Sequence, residues 1–112
     1  MALSLADILD QFRYDVDQLP GLVAAYCTVA FEPAPPTVQM WTLLSRRDPD
    51  VERRLASAER RLLESFPRVR FDFTTTHLIG RDPRQFIPEG AIEILSDPDL
   101  SQAFRTRRLQ HA

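Results

Sequence analysis

The side chains of this sequence that could do chemistry are a histidine and three arginines grouped around one predicted strand. His77 is followed closely by Arg81 and Arg84, and Arg70 precedes it in the same strand. Arginine binds carboxylates and phosphates through paired N–H donors, and histidine moves protons near neutral pH. These residues therefore allow one possible function, that of a binding domain or enzyme for a small anion, as an alternative to the interaction role considered below. That function requires the four side chains to converge on one concavity.

His77 and Asp72 are the only candidates for a catalytic group, and each also has an ordinary structural interpretation. A histidine without positioned partners is more often a partly buried side chain whose ring bonds to loop backbone. Asp72 follows Arg70 by two positions, so both project from the same face of a strand. Such an exposed ion pair contributes about 0–1 kcal/mol. We therefore assign no catalytic residue and expect no enzymatic activity.

The composition excludes several classes of enzyme. All fourteen basic residues are arginine, so Schiff-base, pyridoxal-phosphate and P-loop chemistry lack their lysine. One cysteine and two distant histidines offer no spacing typical of a metal site, and three glycines cannot form a glycine-rich phosphate loop. We expect neither a metal nor a cofactor. The absence of lysine and asparagine is typical of a GC-rich, bacterial-like genome.

The arginines are concentrated in one part of the chain. Residues 46–70 hold eight of the fourteen, and this block predicts a second alternative function, that of a nucleic-acid accessory protein. Five acidic residues are interleaved with them and the sequence pI is about 5.6, which favours a salt-bridged helix face instead. The acidic first helix offers this basic segment a complementary surface, within one chain or between chains.

Cellular location is indicated by the lone cysteine and by the first ten residues. Cys27 lies within an apolar strand, so we expect it to be buried and unreactive. A single cysteine forms no internal disulfide, which fits a reducing compartment. The first residues lack a cationic segment and a long apolar stretch, and no window is apolar enough to cross a bilayer. The sequence therefore predicts a cytoplasmic protein without a membrane span.

Hydrophobic periodicity predicts the elements that must position these residues. Apolar residues at helical spacing and capping signals indicate one helix after Ser4, stopped by Pro20-Gly21, and a second from Asp48-Pro49 to Pro67. Runs of strand-forming residues indicate strands over 22–31, 37–45, 69–79 and 91–95. A single helical turn is expected after Asp82-Pro83. A weak final helix is expected around Leu100, Phe104 and Leu109.

This order predicts an α+β fold. Its expected form is a two-layer α/β sandwich of order α-β-β-α-β, followed by a small strand and helix, with a small mixed or antiparallel sheet and the two main helices on one face. Residues 1–95 are expected to form one domain and residues 96–112 a tail or short helix. Because the strand over 22–31 is apolar on both sides, both faces of the sheet should be covered there.

The sheet face away from the helices is the expected interaction surface. Its candidate residues are Tyr26, Gln39, Trp41, Asp72, Thr74 and Thr76. Gln39 and Trp41 share one face of their strand, but periodicity does not say which. Because no third layer is evident, the leading hypothesis is a non-catalytic module that self-associates, as a homodimer, through this face or an exposed edge. A different protein partner is the related possibility.

Overall fold

A computed structural model describes residues 5–97 as two α-helices, four strands and one 3-10 turn. The helices are α1 (Leu5–Val16) and α2 (Pro49–Ser65), and the 3-10 turn spans Pro83–Phe86. The strands are β1 (Leu22–Ala30), β2 (Thr37–Leu44), β3 (Arg70–His77) and β4 (Ile92–Ser96). Each strand begins and ends within two residues of its predicted bounds.

The four strands form one mixed sheet in the order β3-β2-β1-β4. β1 pairs antiparallel with β2 and with β4, whereas β2 and β3 are parallel because α2 connects them as a crossover. The two helices flank the sheet, and the predicted α+β sandwich is confirmed. β3 and β4 are therefore the two edge strands.

Helix α2 begins where its capping residues predict. The Asp48 carboxylate accepts hydrogen bonds from the backbone N–H groups of Asp50 at 3.1 Å and Val51 at 3.4 Å, and Pro49 occupies the first turn. The predicted stripe is buried against the sheet: Val51, Leu55, Ala58 and Leu62. The helix ends before Pro67, which has no N–H to continue it.

Helix α1 is shorter than predicted. Ile8, Phe12 and Val16 are buried as its periodicity indicates, but the helix ends at Val16 rather than at Pro20. The reason is local, since Gln18 adopts a positive φ of 72° that an α-helix cannot accommodate. Leu19 is still buried after the break. The chain therefore turns towards β1 after α1, while Leu19 stays packed in the core.

The main core lies between the helices and the sheet. It joins the buried stripes of α1 and α2 to alternate residues of the strands, including Ala25, Cys27, Val38, Met40 and Leu44. From β3, Phe71 and Phe73 reach this core but are only partly buried. The edge at β3 is thus the less completely covered part of the layer.

The opposite face of the sheet is covered at β1, as the two apolar sides of that strand predict, but the sequence did not predict which segment covers it. Residues 78–91 cross it and form a second apolar cluster with β1 and β2, whose buried members are Ala24, Tyr26, Leu43, Leu78, Ile87 and Ala91. These loop residues have neither helical nor strand periodicity, so their packing could not be derived from the pattern. The cover extends over β1 and the end of β2, and it leaves the β3 side of this face exposed.

The predicted final helix around Leu100, Phe104 and Leu109 lies outside the described residues. β4 extends to Ser96, one residue past the predicted domain end at position 95. Among the helices of residues 5–97, none has both the length and the apolar character that crossing a membrane requires.

Candidate functional site

The six predicted interaction residues lie on one face of the sheet, the face away from the helices. The strand register places Tyr26 beside Trp41 and Trp41 beside Thr74, and it places Gln39 beside Asp72. Neighbouring residues in register project to the same side, and Thr76 follows Thr74 by two positions. The register therefore fixes what periodicity left open, since Trp41 points away from the helix layer.

Tyr26 is in the interior of this face rather than on its surface. Its side chain is fully buried, and its hydroxyl donates a hydrogen bond to the carbonyl of Phe86. Burial raises the pKa of Tyr26 to about 12. Trp41 stacks on it with ring centroids 5.5 Å apart and remains partly exposed. Only the other members of the predicted surface are accessible to a partner.

The predicted anion-binding residues do not form one site. Arg70 and His77 lie at opposite ends of β3, and because their numbers differ by an odd count they project from opposite faces. Arg70 instead lines a shallow concavity of about 650 Å³ next to Arg68, with Ala34, Pro35 and Pro67. None of the other three predicted residues reaches that concavity.

His77 and the arginines after it have structural partners. The His77 Nε2 atom lies 2.9 Å from Oε1 of Glu52 in α2. The Arg81 guanidinium donates to the carbonyls of Leu78 at 2.9 Å and His77 at 2.6 Å, and it lies 5.0 Å from the Phe86 ring centre. These contacts tie the end of β3 to the loop that follows it. They describe a satisfied histidine, as the ordinary interpretation predicts, although its partner is a carboxylate.

Arg84 has a charged partner, whereas Arg70 and Asp72 have none among the described residues. Arg84 Nε lies 3.5 Å from Oδ1 of Asp82. The ion pair that the sequence predicted between Arg70 and Asp72 is not formed, and neither side chain has a salt bridge among residues 5–97.

The arginines of α2 contact acidic residues. Arg53 pairs with Asp50 one turn earlier, and Arg61 Nη1 lies 2.9 Å from Oδ1 of Asp15 in α1. The Asp15 side chain is only 4% exposed, and its contact with Arg61 is an ion pair without hydrogen-bond geometry. The predicted complementarity of the two helices is therefore realised within one chain.

The single cysteine of the sequence is unsuited to act as a nucleophile. Cys27 is fully buried in β1, and burial raises the pKa of its thiol to about 11. A thiol with this pKa is almost entirely protonated at neutral pH, so it is a poor nucleophile. In the part of the chain that the structure describes, no three histidine, cysteine or carboxylate side chains converge as a metal site would require.

Three features of the β4 edge oppose pairing with a further strand. β4 has five residues, and its register with β1 shifts between Ala25 and Tyr26. The Arg13 side chain of α1 donates a 2.7 Å hydrogen bond to the carbonyl of Ile94 in the middle of the strand. A short strand, an irregular register and a charged side chain on the backbone are the devices that prevent edge pairing.

The edge at β3 is longer and more regular, and among residues 5–97 a side chain bonds to its backbone only at its end, where Arg81 donates to the His77 carbonyl. Its eight residues pair with β2 in an unbroken parallel register, and among residues 5–97 no strand lies on its other side. The Arg70 N–H donates to Pro36 and the Leu78 N–H to Leu44, so the even-numbered residues direct their backbone groups towards β2. The alternate residues, Phe71, Phe73 and Thr75, therefore direct theirs outward.

Helix α2 adds an apolar surface above this edge. α2 runs antiparallel to β3, because Glu52 near the start of α2 contacts His77 at the end of β3 and a four-residue turn joins the end of α2 to the start of β3. Helical spacing places Glu59, Leu63 and Phe66 on the same flank, whereas the arginines of α2 fall on other sides. We define the apolar flank as Leu63, Phe66, Phe71 and Phe73. Leu63 is 49% exposed and the two β3 rings stack 5.5 Å apart.

Sequence reasoning named an exposed edge only in general terms and missed the residues of this flank. Phe71 and Phe73 looked like ordinary core residues because they alternate with polar neighbours. Leu63 carried a usable signal, since it lies next to the buried stripe of α2 but outside it. No pattern in β3 alone indicates that its second side is unpaired, because that depends on the strand order.

Glu59 lies beside the apolar flank, and the structure shifts the pKa of its carboxyl group. Burial raises its pKa from 4.5 to about 6. The folded protein therefore holds this proton more tightly than the unfolded chain does. Stability contributed by the neutral form is present at low pH and is lost as pH rises from about 4.5 through about 6.

Replacing Glu59 by glutamine should therefore stabilise the protein at neutral pH. We expect the free energy of unfolding to rise by a few tenths to about 1 kcal/mol at about pH 7.5, a modest gain because the side chain is partly exposed. The gain should disappear near pH 4, where Glu59 is neutral anyway. Urea unfolding at the two pH values measures this, with Glu64→Gln on the exposed side of α2 as the control. An equal gain at both pH values would contradict it.

Comparison with known proteins gives no further guide to function. The sequence matches no protein-family model, no curated protein and no solved structure. The candidate site must therefore be interpreted from its own geometry, and that geometry singles out the β3 edge with the apolar flank above it.

Proposed function

We propose that this chain is a non-catalytic protein-interaction module that self-associates as a homodimer by strand pairing at the β3 edge. The observation that carries the proposal is the contrast between the two edges of the sheet. The β4 edge is short, irregular and bonded by Arg13 in its middle, whereas the eight-residue β3 edge is regular and, among the described residues, is bonded by a side chain only at its end, where Arg81 reaches the His77 carbonyl. A regular edge whose middle is free of such bonds can serve as a template for another strand.

The apolar flank supports the same proposal. Strand addition alone supplies backbone hydrogen bonds, and a stable interface also needs apolar contact area beside them. Leu63 and the half-buried rings of Phe71 and Phe73 supply that area on the helix side of the edge. A second copy of the chain presents the same strand and the same flank, so a two-fold axis at β3 satisfies both.

Other properties are consistent with an interaction role in a reducing compartment. Cys27 is a free and buried thiol, which fits a cytoplasmic protein. Arg70 and His77 lie apart on β3, so a small-anion site loses its main support. The pairing of Arg53 and Arg61 with acidic residues likewise weakens a role in nucleic-acid binding. The candidate catalytic groups, His77 and Asp72, lack the arrangement that catalysis needs.

Size-exclusion chromatography with light scattering tests the proposal. The chain has a mass of 12.9 kDa, and we expect a species of about 26 kDa at high micromolar concentration that dissociates on dilution. Leu63→Glu places a charge in the apolar flank and should shift the protein to monomer. Tyr14→Glu is the matched control, because Tyr14 is 81% exposed on α1 and lies away from this edge.

Each outcome of this experiment leads to a different conclusion about the interface. A wild-type chain that stays at 12.9 kDa at high micromolar concentration would overturn the proposal. Equal dissociation of the Leu63 and Tyr14 variants would place the interface elsewhere. Circular dichroism of both variants checks that the fold is intact.

A further inference from the structure

We infer that the two copies of the chain pair antiparallel about a two-fold axis at Phe73, so that residues 70–76 of one copy lie opposite the same residues of the other. This inference rests on the proposed function, because it specifies the register of pairing at the β3 edge. It follows from the hydrogen bonds that each chain already makes at the two ends of β3. Those bonds limit where pairing with a second copy can begin and end.

The backbone groups that are open to a partner lie in the middle of β3. They belong to alternate residues of the strand, and among residues 5–97 no second strand reaches them: Phe71, Phe73 and Thr75. Before this set, the Val69 N–H donates to the Phe66 carbonyl at 3.1 Å. After it, the His77 carbonyl accepts a 2.6 Å hydrogen bond from Arg81. The open segment is therefore bounded at both ends, and Phe73 is its centre.

An axis at Phe73 pairs every one of these open groups. Phe73 faces its own copy, and Phe71 faces the partner's Thr75. These are hydrogen-bonded pairs, in which both residues exchange N–H···O bonds, so the interface gains about six of them. The same axis sets Val69 opposite the partner's His77. The Val69 N–H and the His77 carbonyl, which would bond to each other there, are both bonded within their own chains.

Axes nearer the start of β3 leave open groups without a partner. An axis at Phe71 sets Thr75 opposite the partner's Pro67, which has no N–H to donate. An axis at Asp72 sets Thr75 opposite the partner's Val69, whose N–H already donates within its own chain. It also places two aspartates directly opposite each other, where like charges are destabilising. Both registers therefore lose hydrogen bonds at Thr75.

Axes nearer the end of β3 have a similar defect. An axis at Thr74 sets Phe71 opposite the partner's His77, whose carbonyl already accepts from Arg81. An axis at Thr75 carries the open groups of Phe71 past His77, where the partner's β3 has ended. The Phe71 N–H therefore lacks an open acceptor in both registers.

The side chains of β3 fit the axis at Phe73. The Phe73 ring is partly buried on the helix side, and the axis sets it opposite the partner's Phe73, since aromatic cross-strand pairs stabilise a sheet. On the other side, Asp72 stands opposite the partner's Thr74 and Arg70 opposite the partner's Thr76. No two like charges then face each other directly.

Disulfide cross-linking tests the register. Asp72 and Thr74 are both exposed, so cysteine at either position leaves the core unchanged. In the inferred register their Cα atoms face each other about 4.5 Å apart, whereas each lies about 7–8 Å from its own copy. An equimolar mixture of Asp72→Cys and Thr74→Cys should therefore cross-link about tenfold faster under mild oxidation than either variant alone. Non-reducing electrophoresis measures the rates, and mass spectrometry identifies the linked residues.

A second facing pair and a control complete the experiment. Arg70→Cys mixed with Thr76→Cys tests the same register without altering the first two positions. Tyr14→Cys mixed with Asp72→Cys gives the rate of random collision, because Tyr14 is 81% exposed on α1. The native Cys27 is fully buried and should add no cross-link.

The results distinguish failure of the register from failure of the proposed function. If one of the four β3 variants links fastest with itself, or a different mixture of them links fastest, the Phe73 register is wrong and the β3 interface stands. If the wild type dimerises but no mixture or variant links faster than the Tyr14 control, β3 is not the paired edge and both proposals fail. A wild-type monomer at high micromolar concentration also removes both.

Discussion

Replacing Leu62 by alanine is expected to lower the free energy of unfolding of the monomer by about 3 kcal/mol. Leu62 is fully buried in the stripe by which α2 packs on the sheet. Its removal loses the apolar contact and leaves a cavity that neighbouring side chains fill only in part. Urea unfolding followed by circular dichroism, at a concentration low enough to keep the protein monomeric, measures the loss.

The adjacent residue provides the control. Leu63 is 49% exposed on the apolar flank, so Leu63→Ala should cost the monomer less than about 1 kcal/mol. The same variant should weaken the dimer. The two neighbouring leucines would thus have different effects: Leu62 would stabilise the folded monomer, and Leu63 would stabilise the dimer. Similar losses of monomer stability for both would show that the flank is part of the core.

Replacing Tyr26 by alanine is expected to cost about 4 kcal/mol and to release residues 78–91 from the sheet. The Tyr26 ring is fully buried in the second cluster, it stacks on Trp41, and its hydroxyl bonds to the Phe86 carbonyl. Trp41 is the single tryptophan, so its fluorescence reports on this face directly. We expect a red shift of the emission as water reaches the indole ring.

Tyr26→Phe isolates the hydroxyl from the ring. It keeps the stacking on Trp41 but leaves the Phe86 carbonyl without this donor, and we expect a smaller loss of about 1–2 kcal/mol. The tryptophan emission should stay close to that of the wild type. If Tyr26→Ala leaves the emission unchanged, residues 78–91 do not depend on Tyr26 for their position.

The sequence predicts the elements of this fold well because each is coded locally. Asp48 and Pro49 start α2 by capping, and the spacing of Val51, Leu55 and Leu62 defines its buried side. Such signals need no knowledge of distant residues. Helix α1 shows the limit, since its end is set by the backbone conformation of Gln18, which proline and glycine signals two residues later do not reveal.

The candidate surfaces were harder to predict because they depend on pairing between distant segments. Periodicity puts Gln39 and Trp41 on one side of β2, but only the register with Tyr26 and Asp72 says which side that is. The partner of His77 is Glu52, 25 residues earlier in the chain. A histidine that looked like a lone candidate for catalysis is therefore part of the contact between α2 and the end of β3.

The predicted anion site shows a related limit. Arg70 and His77 belong to one strand, and closeness in sequence suggested a shared site. A strand is extended, however, so seven positions separate the two Cα atoms by about 23 Å. Arg81 and Arg84 follow a turn and bond to local groups instead. Proximity along a strand indicates a common site only when the residues share both a face and an end.

The cap that Arg13 places on β4 has a consequence for how large an assembly can become. A sheet with two open edges can add copies head to tail without limit, and such contacts generate filaments. Here the guanidinium bonds to the Ile94 carbonyl, which opposes the addition of a strand at the β4 edge. In the proposed dimer β3 would be used at the two-fold axis, so the combined eight-stranded sheet would end in β4 on both sides. Growth would then stop at a closed dimer.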